Sequence, residues 1–295
     1  KILALLGVPV RVWPRAPLDK NVLLISIDKS YRVVVKTNNM FKFHFTFDKT
    51  KKAQSLKKII FKKYFNNSPK TSDIIIVAGG DGFMLNSLKK YAKFKKPFYG
   101  INCGTYGFLM NRYISDKLEN KIFKAKKTII NPLQITSFNN KVYKRSLIAV
   151  NEISLFRQTK QTASLKLEIG NKTLIKKLIG DGVLISTPAG STAYNLSVHG
   201  PILSLNSGKL AITPISPFRP RRWKGKIISN KTKIKLTNLD PKKRPVAAVA
   251  DNFEIRNIKS LNIKINKNIN LTLLHDPERS LVKRIKVEQL RKNFN

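Results

Sequence analysis

Cysteine is almost absent: Cys103 stands alone in 295 residues. A single thiol excludes an intramolecular disulfide and a cysteine-built zinc cluster, and it suits a reducing compartment, so a cytoplasmic protein is expected. Acidic residues are scarce as well, 16 against 58 Lys and Arg, which leaves a formal charge of +42. Long apolar runs are missing. The longest, Ile2 to Val10, is cut by Arg11, far short of the ~20 residues a bilayer span requires. Trp13-Pro14-Arg15 after it offers no small-residue cleavage site, so neither a membrane association nor secretion is expected. The chain also lacks a GxxxxGK[ST] loop and an intact GxGxxG, which removes the two commonest glycine-loop explanations for a nucleotide site. Histidine amounts to His44, His199 and His275, far apart in sequence and each expected to be structural or solvent-exposed.

What is present is a chain long enough for two ordinary domains, with 42% apolar residues to give each a core. The basic excess invites an anionic partner. It is built from 44 Lys and only 14 Arg, scattered as singlets and doublets such as Lys51-Lys52 and Lys95-Lys96. No finger spacing, aromatic RNA-binding signature or basic heptad accompanies it, so no specific nucleic-acid partner is expected. Loose attraction to polyanions and to phosphate-rich small molecules is. The clusters Arg219 to Arg222 and Lys242 to Arg244 read as solvated faces.

The first forty residues hold strand-like patches, Val22 to Ile27 and Arg32 to Val35, and no motif. From Phe41 an apolar alternation reads as a strand, and Lys51 to Tyr64 carries helix-spaced Leu56, Ile59, Ile60 and Tyr64. Asp73 to Ala78 is a continuous apolar run of the kind a strand buried on both faces shows in a parallel sheet. It ends in Gly79-Gly80-Asp81-Gly82, with a helix expected to about Ala92. Pro97 to Ile101 is a second short strand ending in NCGTYGFL, residues 102 to 109, and Arg112 to Lys126 reads as a helix. Strand, glycine turn and helix in this rhythm predict an open α/β domain whose turns lie at the carboxyl ends of strands, where such sheets bind ligands.

After about Thr128 the period switches to two. Ser164 to Ile169 alternates, Gly170-Asn171 supplies a turn and Thr173 to Leu178 returns. Further strands at Ser146 to Val150, Lys231 to Leu236, Val246 to Ala250, Phe253 to Ile258 and Leu261 to Leu274 describe a mainly β second domain, and Arg279 to Leu290 looks helical.

Four segments could carry chemistry. In GGDG, glycines permit a positive-φ turn with N–H groups facing a phosphate, and Asp81 can polarise a hydroxyl or hold a cation; a tight turn capped by Asp is the plain alternative. NCGTYGFL has the same place relative to its strand, with Cys103 read as a small packed residue rather than a nucleophile. Asn151-Glu152 offers an amide and a carboxylate for a base edge and a sugar hydroxyl. Most specific is GDGVLISTPAGSTAYNLSVHGP, Gly180 to Pro201, which in this lysine-heavy chain holds no Lys or Arg. Its Ser and Thr hydroxyls and the amides of a helix expected to start near Ser191 supply neutral donors, and Tyr194 can place a ring against a heterocycle.

In order and approximate spacing, GGDG, NCGTYGFL, Asn151-Glu152, the GSTAY block and Thr213-Pro-Ile-Ser-Pro217 resemble the bacterial NAD kinases, from about Met40 to Leu274. The resemblance implies a Rossmann-like open α/β domain over residues 40–128, a larger sandwich-like β domain over 129–274 that binds NAD, and a segment 275–295 returning to the first domain, preceded by an extension, 1–39, of unknown role. It implies transfer of the γ-phosphoryl of ATP, or of polyphosphate, to the 2′-hydroxyl of the adenosine ribose of NAD, with a divalent cation such as magnesium. By the same resemblance Asp81 is the general base, with Gly79, Gly80 and Gly82 forming the phosphate-facing turn. Asn151 and Glu152 hold the adenine and ribose region, and Asp181 a ribose or the nicotinamide amide. Ala189, Thr192, Ala193, Tyr194, Asn195, Leu196 and Ser197 contact the rest of NAD. A homodimer or homotetramer is implied as well. The chain departs from the family pattern at Phe83, where Thr often follows GGDG, at Ala189, where Thr is frequent, and at Asp251-Asn252, in place of Asp-Gly. Rival readings are a GGDG-type lipid kinase, against which the polar GSTAY loop argues, a basic nucleic-acid-binding protein, and a nucleotide sensor without turnover.

Overall fold

The computed structural model describes residues 22–28, 31–36, 41–105, 107–113, 118–138, 145–279 and 281–291. Ile2 to Val10, Trp13-Pro14-Arg15, Met40 and Tyr106, singled out in the sequence, lie outside them. The chain divides into two compact units, residues 1–41 and 42–295. In the first, β1 (Val22–Asp28) and β2 (Tyr31–Lys36) form an antiparallel hairpin, matching the two strand-like patches.

The second unit opens with the expected α/β rhythm. It comprises β3 (Phe43–Phe47), α1 (Lys51–Phe61), β4 (Ile74–Gly79), α2 (Asp81–Tyr91), β5 (Phe98–Asn102), α3 (Leu118–Lys124) and β6 (Lys126–Ile130). Every residue of β4 is buried, as its unbroken apolar run requires of a central parallel strand. On α1 the buried face is Ala53, Leu56 and Ile60. Ile59 faces solvent, and Tyr64 lies past the helix end, its ring instead packed on Phe43 and Phe45. The helix expected from Arg112 to Lys126 is shorter: Arg112 and Tyr113 are not helical, and Lys126 already belongs to a strand.

Twelve strands then build two antiparallel sheets. They are β7 (Leu133–Phe138), β8 (Arg145–Ala149), β9 (Glu152–Arg157), β10 (Ala163–Ile169), β11 (Lys172–Gly180), β12 (Gly182–Ser186), β13 (Lys209–Ile215), β14 (Lys226–Ser229), β15 (Ile234–Asn238), β16 (Val246–Ala250), β17 (Phe253–Ile255) and β18 (Ser260–Ile265). A four-residue helix, α4 (Tyr194–Ser197), interrupts them, and β19 (Leu271–His275) and α5 (Leu281–Arg291) close the chain. The sheet orders are β11-β10-β15-β18-β7-β8 and β14-β13-β12-β9-β16-β17. Their facing side chains, among them Leu165, Leu236 and Leu261 from one and Ile153, Val183 and Ile212 from the other, form a single sandwich core.

The run Leu261 to Leu274, expected as one strand, is two. Asn266 to Asn270 breaks it, and while β18 stays in the sandwich, β19 joins the first sheet between β5 and β6 to give β3-β4-β5-β19-β6. β19 pairs parallel to β5 and antiparallel to β6. The change of period near Thr128 therefore falls inside β6, and the first sheet runs on to Ile130. From α5, Leu281 and Ile285 enter the same apolar cluster as Ile75, Met84, Leu88 and Met110, and Val150 and Ala189 from the β region complete it. This shared cluster is the seam at which the glycine turns of the first sheet meet the loops of the sandwich.

Candidate functional site

The seam encloses a cavity of about 110 Å³ lined by Asp81, Phe108, Leu109, Asn151, Ala189, Thr192 and Ala193. Five of these are residues the sequence nominated, drawn from three separate segments. Phe108 and Leu109 come from the second glycine turn, whose wall-forming role the sequence left open.

Asp81 is the first residue of α2, where the helix dipole favours a carboxylate. Its Oδ2 accepts the Phe108 N–H at 2.7 Å and its Oδ1 the Leu109 N–H at 2.8 Å. Burial pushes its pKa up; those two N–H groups and the Arg284 guanidinium act in the opposite direction. The expectation that GGDG uses a positive-φ turn is not met. Gly80 has φ −98° and ψ −177°, and left-handed glycines occur only at Gly170, Gly208 and Gly225 among the described residues. β4 passes into α2 through extended backbone, so no left-handed residue is needed. A side chain at Gly80 or Gly82 would meet nothing within 4 Å, so no protein atom demands glycine there, and the turn presents bare backbone to open space.

On the opposite wall, Asn151 and Glu152 sit at the bend from β8 to β9. Asp251, in the β16–β17 turn with its side chain fully buried, holds that bend: its carboxylate accepts the N–H groups of Val150 at 2.9 Å and Asn151 at 2.8 Å. Lys89 of α2 pairs with Asp251 at 3.3 Å. Asn151 Oδ1 and Glu152 Oε2 are buried without a hydrogen-bond partner. Burial first, and the neighbouring Asp251 second, push the Glu152 pKa up to about 8.

In the GSTAY segment no regular helix starts at Ser191. Gly190–Thr192 is a single 3-10 turn, Ala193 then leaves helical geometry at φ −91° and ψ −131°, and α4 is only four residues long. The loop is fixed by side-chain bonds. Ser191 Oγ donates to Pro188 O at 2.7 Å and accepts the Leu203 N–H at 3.0 Å. Asn195, fully buried, donates to Ser191 O and Pro201 O and accepts from Thr213 Oγ1 at 2.7 Å. Those bonds use its amide in the scaffold. Gly190 is required by close approach, since a Cβ there would lie 2.2 Å from Asn151 O.

Asp181, Tyr194, Leu196, Ser197, Glu152 and the glycines Gly79, Gly80 and Gly82 are not among the cavity-lining residues. Asp181 is ion-paired with Arg157, and the exposed Tyr194 ring lies 5.8 Å from Phe156. Cys103 is buried, its thiol pKa raised by burial, in keeping with a packed residue. His44 binds Asn67 O, His199 is exposed at φ 61°, and His275 is fully buried. No described helix is long and apolar enough to cross a membrane.

Two residues at or behind the site carried no sequence signal, Arg157 and Arg284, and Asp251 was marked only as part of Asp251-Asn252, with no role given. Arg284, on α5, donates to the carbonyl oxygens of Gly107 at 2.9 Å, of Phe108, and of Met110 at 2.7 Å.

Comparison with known proteins matches residues 16–130 to the ATP-NAD kinase N-terminal domain and residues 150–272 to the ATP-NAD kinase C-terminal domain. The first match begins upstream of Met40, where the sequence shows no motif. The chain is 43% identical over 237 residues to an NAD kinase of Caulobacter vibrioides, covering 80% of this chain and 91% of the relative. It is 44% identical over 237 residues to one of Xylella fastidiosa, with the same coverage. In fold it is similar to an NAD kinase from Archaeoglobus fulgidus solved with ATP, at TM-score 0.64 and 21% identity over 81% of this chain and 95% of that one. It is similar also to yeast NADH kinase solved with NADH, at TM-score 0.70 and 17% identity over 97% and 94%. With both domains matched in order and most of each curated relative covered, the chain belongs to the ATP-NAD kinase family.

Proposed function

We propose that the family's reaction takes place in the seam cavity, with Asp81 taking the proton of the adenosine-ribose 2′-hydroxyl of NAD. The 2′-oxygen then forms a bond to the γ-phosphorus of ATP, the bond from that phosphorus to the β–γ bridging oxygen breaks, and NADP and ADP result. The observation that carries this reading is the convergence of Asp81 with Asn151, Ala189 and Thr192 on one cavity, beside the partnerless Asn151 Oδ1 and Glu152 Oε2. Buried polar atoms left without partners are costly, and these two match the amino and hydroxyl groups of an adenosine. An ionised carboxylate has about four acceptor sites, so Asp81 can keep its two amide bonds and still receive the hydroxyl. Such chemistry rests on positioning and charge neutralisation more than on covalent help from the protein.

A divalent cation is expected to accompany the phosphate donor. The described residues contain no group of three or more His, Cys, Asp or Glu able to hold a metal, and both Asp81 oxygens already receive amides. This donor set does not fit a protein-built cation cage, and no step above depends on one. Polyphosphate as donor, the homodimer or homotetramer and a cytoplasmic location stand as further parts of the proposal. Family membership at this identity sets aside the lipid-kinase reading.

The test is NADP formation from NAD, ATP and magnesium by the wild type and by Asp81→Asn, read with an NADP-specific dehydrogenase. Loss of a positioned general base costs roughly 10²–10⁴-fold in kcat, so turnover should fall by that much while NAD binding, titrated separately, persists. Undiminished turnover in the variant would remove Asp81 from the chemistry.

A further inference from the structure

Arg284 lies in a polar helix outside both matched domains, yet it reaches the turn that holds Asp81. Its Nη1 donates to the carbonyl oxygens of Gly107 and Phe108, and its Nη2 to that of Met110. The Gly107 carbonyl and the Phe108 N–H belong to one peptide unit, and the Phe108 carbonyl and the Leu109 N–H to the next. In a trans peptide the two groups point opposite ways. Those N–H groups are the two that donate to the Asp81 carboxylate. Two consecutive peptide units are thus strung between a guanidinium on one side and a carboxylate on the other, and hydrogen bonds in such chains polarise one another.

We infer that Arg284 is a positioning residue for the reaction: it holds the 107–110 turn and, through two peptide units, orients the Asp81 carboxylate and favours its acceptor form. The inference rests on the reading of Asp81 given above. Arg suits the task because its planar fork can serve several carbonyls at once, whereas a lysine ammonium is a point charge on a flexible stem. Leu281 and Ile285, one turn before and directly after, are buried, so the helix that carries the fork is anchored in the same core as α2. The position has no local sequence signature, because its partners lie more than 170 residues away.

The charged group acting on Asp81 is Arg284 from α5. His275, at the end of β19, feels the same guanidinium; burial first and Arg284 second bring its pKa down to about 4. Removing Arg284 therefore releases two titrations, and the experiment has to separate them.

Kinetics of Arg284→Gln and Arg284→Lys are measured against pH, alongside Asp81→Asn, with melting curves and NAD titrations for each protein. His275 is followed through its imidazole NMR resonance. A misplaced catalytic group costs on the order of 100-fold, so Arg284→Gln should lose one to two orders of magnitude in kcat with little change in KM for NAD. Its acidic limb should move to higher pH, because Asp81 has lost both the cation and the polarised amides. Arg284→Lys should restore part of the limb and little of kcat; it serves in the same role if the Gln variant does not fold. A folded variant with wild-type kcat and limb overturns the inference, as does a limb that tracks the His275 resonance or a loss confined to KM. If Asp81→Asn remains active, the Asp81 reading itself falls, whatever Arg284 does. If Asp81→Asn is inactive and the Arg284 variants are unaffected, only this inference falls.

Discussion

Two carboxylates flank the seam, Asp81 lining the cavity and Glu152 behind its sandwich wall, and burial raises the pKa of both while their neighbours act in opposite directions. Asp81, on the α/β wall, receives two backbone N–H groups and feels the guanidinium of Arg284, all of which oppose the burial that raises its pKa. Glu152, on the sandwich wall, has a partnerless Oε2 and faces the second carboxylate of Asp251, so burial and like charge add, and its pKa rises to about 8. Near neutral pH, a pKa of about 8 favours the protonated, donating form of Glu152, while two N–H groups and Arg284 favour the charged form of Asp81 against its burial. Environments that push two acids apart assign them different roles in one site: Asp81 is suited to removing a proton and Glu152 to presenting one to a sugar oxygen or a ring nitrogen.

The strongest way to break this contrast is Asp251→Ala. The substitution removes the acceptor for the Val150 and Asn151 amides and leaves Lys89 without its buried partner. Removing one partner of a buried pair costs ~3–5 kcal/mol, and the lower end is expected because Lys89 is slightly exposed. Chemical denaturation gives the loss directly. The Glu152 pKa should also fall, since its second-largest perturber has gone, and the two carboxylates would become more alike. A variant as stable as the wild type would show that the bend at Asn151 does not depend on Asp251.

A smaller effect is expected from Glu152→Gln, which fixes the neutral form. A carboxyl whose folded pKa is raised stabilises the fold below its unfolded pKa of 4.5 and loses that contribution as pH rises to about 8. His275 has the opposite displacement, from 6.5 down to about 4, and its contribution is lost as pH falls through that window. Between about pH 7 and 8, where the unfolded-state imidazole of His275 is mostly neutral, Glu152 dominates the change of this pair. There the wild type should lose up to ~1.4 kcal/mol per pH unit through this one proton, and Glu152→Gln should lack that slope. Equal slopes would mean that Glu152 is ionised at neutrality.

The legible part of the site was the part written as local sequence. A wholly apolar run meeting GGDG announced β4, its turn and Asp81, and the uncharged Gly180 to Pro201 announced a loop that must come close to something. The illegible part consists of contacts across the chain. Asp251 acts on amides about 100 residues away, and Arg284 on carbonyls more than 170 away; single charged residues in a charged chain leave no period or spacing to read. The strand at Leu271–His275 was hidden for another reason. Both it and β18 are apolar and β-rich, so the break at Asn266 to Asn270 looked like a minor interruption, whereas it moves the chain from the sandwich to the parallel sheet. Ser191 misled through propensity: it reads as a helix cap, but its hydroxyl is engaged by Pro188 and Leu203, and the buried Asn195 amide ties the segment to Ser191, Pro201 and Thr213 in place of a longer helix.

The smallest effect should come from Asn252→Gly, which restores the Asp-Gly that resembles the family pattern. Asn252 links the walls at the surface, its Oδ1 accepting from Lys89 Nζ at 2.7 Å and its Nδ2 donating to Asn86 Oδ1 at 2.6 Å. Both are exposed bonds, each worth about 0.5–1.5 kcal/mol at most, because water replaces what is lost. The left-handed residue of the turn is Asp251, at φ 54°, and not Asn252, so glycine relieves no strain here. It adds only freedom to the unfolded chain. The expected outcome is a loss of about 1 kcal/mol in denaturation, with kcat and the pH profile unchanged, because the Lys89–Asp251 pair beneath still ties α2 to the Asn151 bend. A large fall in kcat would instead place the coupling between the walls in the surface amides, and the buried ion pair would lose its standing as the tie that keeps Asp81 facing Asn151.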